Sequence, residues 1–273
     1  MSQPPVASAA PRYTRQVVTH KTAWATEKLF SLTVTRPPDF KFVPGQFARL
    51  GLALDPAAPE TPNEWRAYSM VSAPNENALE FYSVVVPDGK FSPPMAQLRE
   101  GDALWINNSV FGFLTLDAFA DGEDLWLLAT GTGLSAYLSM LRDPTTFTRF
   151  KRIILVHGVR YACELAYRDE LLSLMQRHVG QLIYLPMTTQ EPLEQHLSPS
   201  LSPAGLAPAR LTTLLSVGEL EQRAGVLLDP TYARIMLCGN PAMVTEMRGL
   251  LSERGFAAGR RGVPGNLAVE NYW

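Results

Sequence analysis

A chain of 273 residues, 46% hydrophobic and 18% charged, suits a globular protein with a sizeable core, either as one large domain or two modest ones. A net charge of −2 provides no overall basic surface for nucleic acid, and no apolar run reaches the roughly 18 residues of a membrane span. Two cysteines, Cys163 and Cys238, exclude a four-cysteine iron–sulfur cluster or a zinc knuckle within the chain, so no metal site is expected.

The opening "MSQPPVASAAPRY" has prolines and no long apolar centre. It reads as a flexible arm (1–14) and not as a signal peptide, which makes a reducing cytoplasm the expected setting. From 15 to 118 the chain is β-rich. "RQVVTHKT", "LFSLTVT", "QFARLGL", "WRAYSMVS", "LEFYSVVV" and "DALWINN" are short β-branched and aromatic runs, punctuated by "RPPDF", "VPGQ", "APNENA", "PDGK" and "REGD". Such turn-delimited strands predict a small antiparallel barrel or sandwich. "SPPMAQLREG" predicts one short helix within it.

The pattern changes near residues 119–124. "LWLLAT", "RIILVHG", "QLIYLPMTT" and "ARIMLCG" are apolar strands. They alternate with the helical stretches "GTGLSAYLSMLRD", "ACELAYRDELLSLMQRH", "ARLTTLLSVGELEQ" and "PAMVTEMRGLLSERG". Strands alternating with helices predict an α/β doubly wound parallel sheet over 124–265. The stretch Pro192 to Pro208, rich in Pro, Ser and Leu, reads as a surface loop.

"TGTGLS" (130–135) sits between a strand and a helix, where Gly131, Thr132 and Gly133 let a phosphate approach the backbone; an ordinary tight turn would read the same way. "CGNPAM" (238–243) ends the last of these strands, where ligands of parallel sheets bind. Cys238 there is either a ligand contact or a buried, inert thiol. In "RAYS" (66–69), Arg66 and Tyr68 share one face of a strand and Ala67 and Ser69 the other. They supply a charge, a flat ring and a hydroxyl, or else a surface arginine and a half-buried tyrosine. "FYSVVVPDGKFS" (81–92) carries Tyr82, Ser83 and Val84, then Lys90, Phe91 and Ser92 in a turn able to clamp a diphosphate or simply to close a hairpin. The sequence closes with Glu270, Tyr272 and Trp273, an acid and two large rings that need a flat partner or a place in the core.

Taken in order, "RAYS", "LEFY", "VPDGK", "LWLLATGTG", "LVHGVRY", "MLCGNP" and the E-x-Y-W ending resemble the ferredoxin–NADP reductase family, in particular its bacterial ferredoxin/flavodoxin–NADP reductases. The resemblance covers nearly everything after the arm. It implies that the barrel binds FAD, that the α/β domain binds NADP(H), and that residues 266–273 return to the flavin. It implies FAD contacts from Arg66, Ala67, Tyr68, Ser69, Tyr82, Ser83, Val84, Lys90, Phe91, Ser92, Thr132, Tyr272 and Trp273. Tyr68 and Tyr272 would cover opposite faces of the flavin, Tyr82 would lie along it, and Trp273 would stack on the adenine. Ser69, Cys238, Glu270 and Tyr272 would surround the reacting atoms.

The same resemblance places NADP(H) against Gly131, Thr132, Gly133, Val159, Arg160, Thr188, Thr189, Gln190, Arg210, Cys238, Gly239, Asn240, Pro241 and Met243. One departure stands out: bacterial members carry an Arg where "PMTTQEP" has Gln190, leaving Arg160 and Arg210 as the cations for a 2′-phosphate. The implied activity is electron exchange between NADP(H) and a one-electron carrier, ferredoxin or flavodoxin, by a monomer. Two rivals stay open at this point: a flavin reductase serving an oxygenase or a free-flavin or ferric acceptor, and a non-catalytic flavin- or nucleotide-binding sensor.

Overall fold

The computed structural model describes residues 12–193, 207–260 and 263–271. Tyr272 and Trp273, to which the sequence assigns flavin and adenine contacts, lie outside the described residues, as do 194–206 of the expected surface loop and 1–11 of the expected arm. Tyr13 and Thr14, read as the end of that arm, already pair with Asn107 and Ile106.

Six antiparallel strands come first: β1 (Tyr13–Ala23), β2 (Leu29–Thr35), β3 (Phe47–Leu52), β4 (Glu64–Ser69), β5 (Ala78–Val84) and β6 (Ala103–Phe111). Their order is β4-β3-β6-β1-β2-β5. Just beyond β4, Met70 bridges Phe81 and the Val71 N–H donates to the Glu80 carbonyl at 2.8 Å, so the two outer strands meet and the sheet closes. Alternation along the strands sends Phe30, Leu32, Leu50, Leu79, Phe81 and Ile106 inward. The short helix α1 (Ser92–Gln97), with proline in its first turn, adds Met95 to that core.

Five parallel strands follow: β7 (Asp124–Thr130), β8 (Arg152–Val159), β9 (Leu182–Thr188), β10 (Ala233–Gly239) and β11 (Leu267–Asn271), in the order β11-β10-β7-β8-β9. Helices α2 (Leu134–Arg142), α3 (Pro144–Arg149) and α4 (Arg168–Arg177) follow β7 and β8. Helices α5 (Leu211–Ser216), α6 (Glu219–Ala224) and α7 (Pro241–Glu253) follow β9 and β10. Both faces of the sheet are covered. Leu127, Leu155 and Tyr184 pack with Leu134 and Leu138 on one side, and Leu128, Val156 and Leu237 with Leu214, Leu215 and Met247 on the other. No helix among the described residues is long and apolar enough to cross a membrane.

Three local readings are corrected. The helix expected from "ACELAYRDEL" starts only at Arg168, because Tyr167 takes a left-handed backbone (φ 58°) after a 3₁₀ turn, Ala162–Glu164. The single helix expected after residue 210 is two, separated at Val217–Gly218. Leu267–Asn271, read as part of a tail, is the edge strand β11, paired with β10 from Ile235↔Leu267 to Gly239↔Asn271.

Helix α2 is buried from Leu134 to Leu141, which happens only when a helix is covered on all sides. The sheet covers one flank and the barrel the other. Ser139 Oγ donates to the Ser72 carbonyl at 2.7 Å, and Leu29, Val71 and Tyr82 of the barrel share a cluster with α2. At the end of α2, Arg142 clamps the two parts together. Its Nη1 donates to Glu80 at 2.7 Å, and Nε and Nη2 donate to Glu170 at 2.7 and 2.8 Å. Tyr167, under the guanidinium, donates its hydroxyl to Glu80 at 2.8 Å. Removing one partner from a mostly buried ion cluster leaves the carboxylates uncompensated, at a cost of about 3–5 kcal/mol. Arg142→Met should therefore lower the unfolding free energy by that margin, and with it the urea midpoint, and Glu80→Gln in the same background should restore part of it; chemical denaturation of the three proteins checks this.

Candidate functional site at the strand-order reversal

After β7 the chain continues to β8 on one side, while β10 lies on the other. The strand order reverses between β7 and β10, and ligands of such sheets bind beyond the carboxyl ends at that place. There the turn Gly131–Gly133 leads from β7 into α2. A Cβ on Gly133 would run into the Cys238 carbonyl, and one on Gly239 (φ 134°) would stand 2.6 Å from the Thr130 carbonyl oxygen. Only glycine allows both approaches. The Asn240 N–H donates to Thr130 Oγ1 at 2.9 Å, tying the two strand ends together. Asn240 Oδ1 accepts from Ala242 and Met243 and so caps α7, with Pro241 in its first turn. Met243 packs on the core below.

A residue missed in the sequence supports this turn. His157 of β8 is fully buried, and its Nε2 lies 3.1 Å from the Gly131 carbonyl oxygen. Burial holds its pKa down at about 4, so it is neutral and serves as a donor beneath the turn. A histidine inside "LVHG" reads as a strand residue, and nothing in its spacing points at Gly131.

The barrel meets this site through Ser69, whose Oγ donates to Glu270 Oε2 at a long 3.4 Å. Parallel pairing sets Glu270 beside Cys238, so the Ser69–Glu270 contact lies next to Cys238. The Cys238 side chain is fully buried, at 0% exposure. The backbone of Gly112 closes on the carboxyl group from the barrel side, since a Cβ there would sit 3.3 Å from Glu270 Oε1. Burial raises the Glu270 pKa to about 7, against the lowering effect of the Ser69 hydrogen bond.

Tyr68 is half-buried beside Ser69, with Ser83 Oγ 3.3 Å from its hydroxyl and the Phe91 ring 5.8 Å away. Burial raises its pKa, so it is a neutral ring. Arg66 and Ala67, just before Tyr68, and Lys90, just before Phe91, are exposed, and Val84 is half-buried. Three of the expected FAD residues, Tyr82, Phe91 and Ser92, have buried side chains. Tyr82 is 2% exposed and packs edge-on against Tyr167 between barrel and sheet, so its ring offers no face to a ligand. Phe91 is buried in the barrel core, behind Tyr68. Ser92 is also buried, and its Oγ accepts the Val86 N–H at 2.9 Å, which closes the hairpin turn.

The remaining expected residues gather at the carboxyl ends of β8 and β9. The Thr189 N–H donates to the Val159 carbonyl at 3.1 Å and the Gln190 N–H to the Arg160 carbonyl at 3.0 Å. The Ala209 N–H donates to the Thr188 carbonyl at 3.1 Å, which brings Arg210 alongside. Arg160, Gln190 and Arg210 are exposed and Thr189 is half-buried. Thr188 is the exception: it is buried and its hydroxyl donates to the Glu191 carbonyl, so it is not a ligand donor.

Residues 127–249 match the oxidoreductase NAD-binding domain. The flavodoxin/ferredoxin–NADP reductase of Shigella flexneri is 39% identical over 249 residues, 91% of this chain and 94% of that protein. The chain belongs to the ferredoxin–NADP reductase family. Ferredoxin–NADP reductase A of Sorangium cellulosum is 37% identical over 270 residues, 95% of this chain and 90% of the relative. The crystal structure of a ferredoxin NADP+ reductase from Neisseria gonorrhoeae with bound FAD and NADP superposes with a TM-score of 0.85 at 32% identity, covering 97% of this chain and all of that one. Gly131 at the strand-order reversal has open space where a Cβ would stand, with nothing within 4 Å.

The Glu270 carboxyl gives a direct check. Its folded-state pKa, about 7, lies above the ordinary 4.5, so its contribution to stability is complete below pH 4.5 and is lost as pH rises through 7. Glu270→Gln should gain in melting temperature relative to wild type on going from pH 5 to pH 8. Ser69→Ala should push the carboxyl pKa higher still, because the donor that lowers it is gone. Thermal unfolding across that range and carboxyl ¹³C NMR in both variants measure the two effects.

Proposed function

We propose that this chain is an FAD-dependent oxidoreductase that exchanges electrons between NADP(H) and a one-electron carrier, ferredoxin or flavodoxin, in the cytoplasm. On this reading residues 15–118 bind FAD, 124–265 bind NADP(H), and 266–273 complete the site between them. The observation that carries it is the meeting of Ser69 of the barrel with Glu270 of the sheet edge, next to the strand-order reversal. That juxtaposition brings a flavin-type barrel strand and a nucleotide-type strand end to one place.

FAD, when bound, supplies the step between two-electron and one-electron chemistry, accepting hydride from a nicotinamide and releasing electrons singly. The chain's residues hold and tune that exchange. Arg66 and Lys90 present exposed cations for a diphosphate. Tyr68, backed by Phe91 and held by Ser83, presents a neutral ring for stacking. Ser69 donates its hydroxyl to the Glu270 carboxyl group, whose own proton, with a pKa of about 7, can be kept or released near neutral pH. The turn Gly131–Gly133 and the strand end Cys238–Gly239 border the space for the nicotinamide half. Arg160 and Arg210 face the place for a 2′-phosphate.

Purified protein should be yellow and should turn over NADPH with ferricyanide. Reduction of ferredoxin or flavodoxin at micromolar carrier should then exceed reduction of free flavin. A colourless protein, or a yellow one that does not turn over, would refute the reading and favour a sensor. Fast free-flavin reduction with neither carrier reduced would instead favour a flavin reductase.

Gln190 stands exposed, its N–H bonded to the Arg160 carbonyl, at the position where the family resemblance leads us to expect an arginine. A charged hydrogen bond to phosphate is worth ~1.5–3 kcal/mol. Gln190→Arg should therefore lower KM for NADPH about tenfold or more and leave KM for NADH nearly unchanged, as steady-state kinetics with both nicotinamides will show.

A further inference from the structure

Glu164 has no role in the reading above, yet it organises the segment that carries Arg160. It closes the 3₁₀ turn Ala162–Glu164 and reaches back over the preceding residues. Its Oε2 accepts the Arg160 N–H at 2.9 Å and the Tyr161 N–H at 3.4 Å, while Oε1 accepts from Arg160 Nη2 at 2.9 Å. One carboxylate thus holds both the backbone and the guanidinium of the same arginine. The exposures are unequal: the Glu164 side chain is 20% exposed and that of Arg160 is 72%. A sheltered anion is holding a cation that stands in solvent.

The neighbouring loop is laced to this arrangement. The Gln190 N–H donates to the Arg160 carbonyl, and the Ala162 N–H donates to the Glu191 carboxylate. Val159, Ala162, Leu165 and Leu193 form a small apolar cluster underneath. The base of Arg160 is therefore fixed, and Glu164 is what fixes its far end. A guanidinium carries five N–H donors in a planar fork. Glu164 engages Nη2, and the Arg160 side chain as a whole is left mostly in solvent.

We propose that Glu164 is a positioning residue for the 2′-phosphate of NADP(H): it pre-orders the Arg160 guanidinium so that less side-chain freedom is lost when the phosphate binds. This rests on the reading of Arg160 given above. An opposing effect exists, because a carboxylate repels a phosphate. Here the carboxylate is already balanced by the guanidinium and two N–H donors, and solvent and salt screen what remains. Pre-ordering is the larger effect.

The test compares KM and kcat for NADPH and NADH in wild type, Glu164→Ala, Glu164→Asp, Arg160→Ala and the Glu164→Ala/Arg160→Ala double variant. Glu164→Ala should raise KM for NADPH roughly fivefold, in line with freeing one long side chain, with kcat and KM for NADH unchanged. Glu164→Asp, which keeps the charge, should recover part of the loss. Adding Glu164→Ala to Arg160→Ala should change nothing further. An equal rise for both nicotinamides would overturn the proposal by showing that Glu164 merely holds the turn. An unchanged or lower KM for NADPH would overturn it by showing that the carboxylate is idle or competes with the phosphate. If Arg160→Ala itself leaves KM for NADPH unchanged, the 2′-phosphate reading of Arg160 fails, and the role of Glu164 fails with it.

Discussion

The contact on which the site depends is between two pieces of backbone. The turn after β7 rests directly on the end of β10, with Gly133 against the Cys238 carbonyl and Gly239 against Thr130. No side chain fits between them, so β7 and β10 end at one level, and α2 starts from that level. Because α2 is buried along its length, its starting point also sets where the barrel sits. Ser139 and Arg142 of that helix then bond to Ser72 and Glu80 of the barrel. The position of Ser69 relative to Glu270 follows from this chain of contacts and not from their own 3.4 Å hydrogen bond, which is too long to hold two structural units in place.

Much of this was legible in the sequence because it follows from period and punctuation. All ten runs read as strands are strands, since β-branched and aromatic residues between Gly, Pro and Asn turns leave few alternatives. The eleventh, "LAVEN", was not legible as a strand: it is five residues long, ends in polar groups, and owes its pairing to β10, over 30 residues earlier. The late start of α4 was hidden for a different reason. Tyr167 adopts a left-handed backbone that its residue type disfavours, and the surrounding contacts, with its hydroxyl on Glu80, hold it there.

The site was legible to the level of strand ends and turns, and less so to the level of side chains. Alternation places Arg66 with Tyr68 on one face and Ala67 with Ser69 on the other, but it does not say which face meets a ligand. Tyr82 shows the consequence. Its motif neighbours suggest a flavin contact, yet the closing of α2 against the barrel turns its ring into the core. Thr188 fails similarly, because its hydroxyl is taken by a carbonyl three residues ahead in its own loop. Long-range electrostatics was illegible altogether. The partners of Arg142, 62 residues back and 28 residues ahead, have no local signature.

The two ends of the site treat charge in opposite ways, and the difference follows from what each must hold. At the barrel end, Glu270 is desolvated with one weak donor, so its proton is nearly as well bound as free at neutral pH. A group in that state can give or take a proton with little change in free energy, which suits a place where charge must be rearranged. At the other end, Arg160 stands mostly in solvent and is charged at any accessible pH. Water weakens its attraction for an anion, so geometry has to supply what a low dielectric would otherwise provide. The sheltered carboxylate of Glu164 supplies that geometry without burying the cation. Burial of Arg160 would strengthen its pull on a phosphate, but it would also leave an uncompensated charge whenever no ligand is bound.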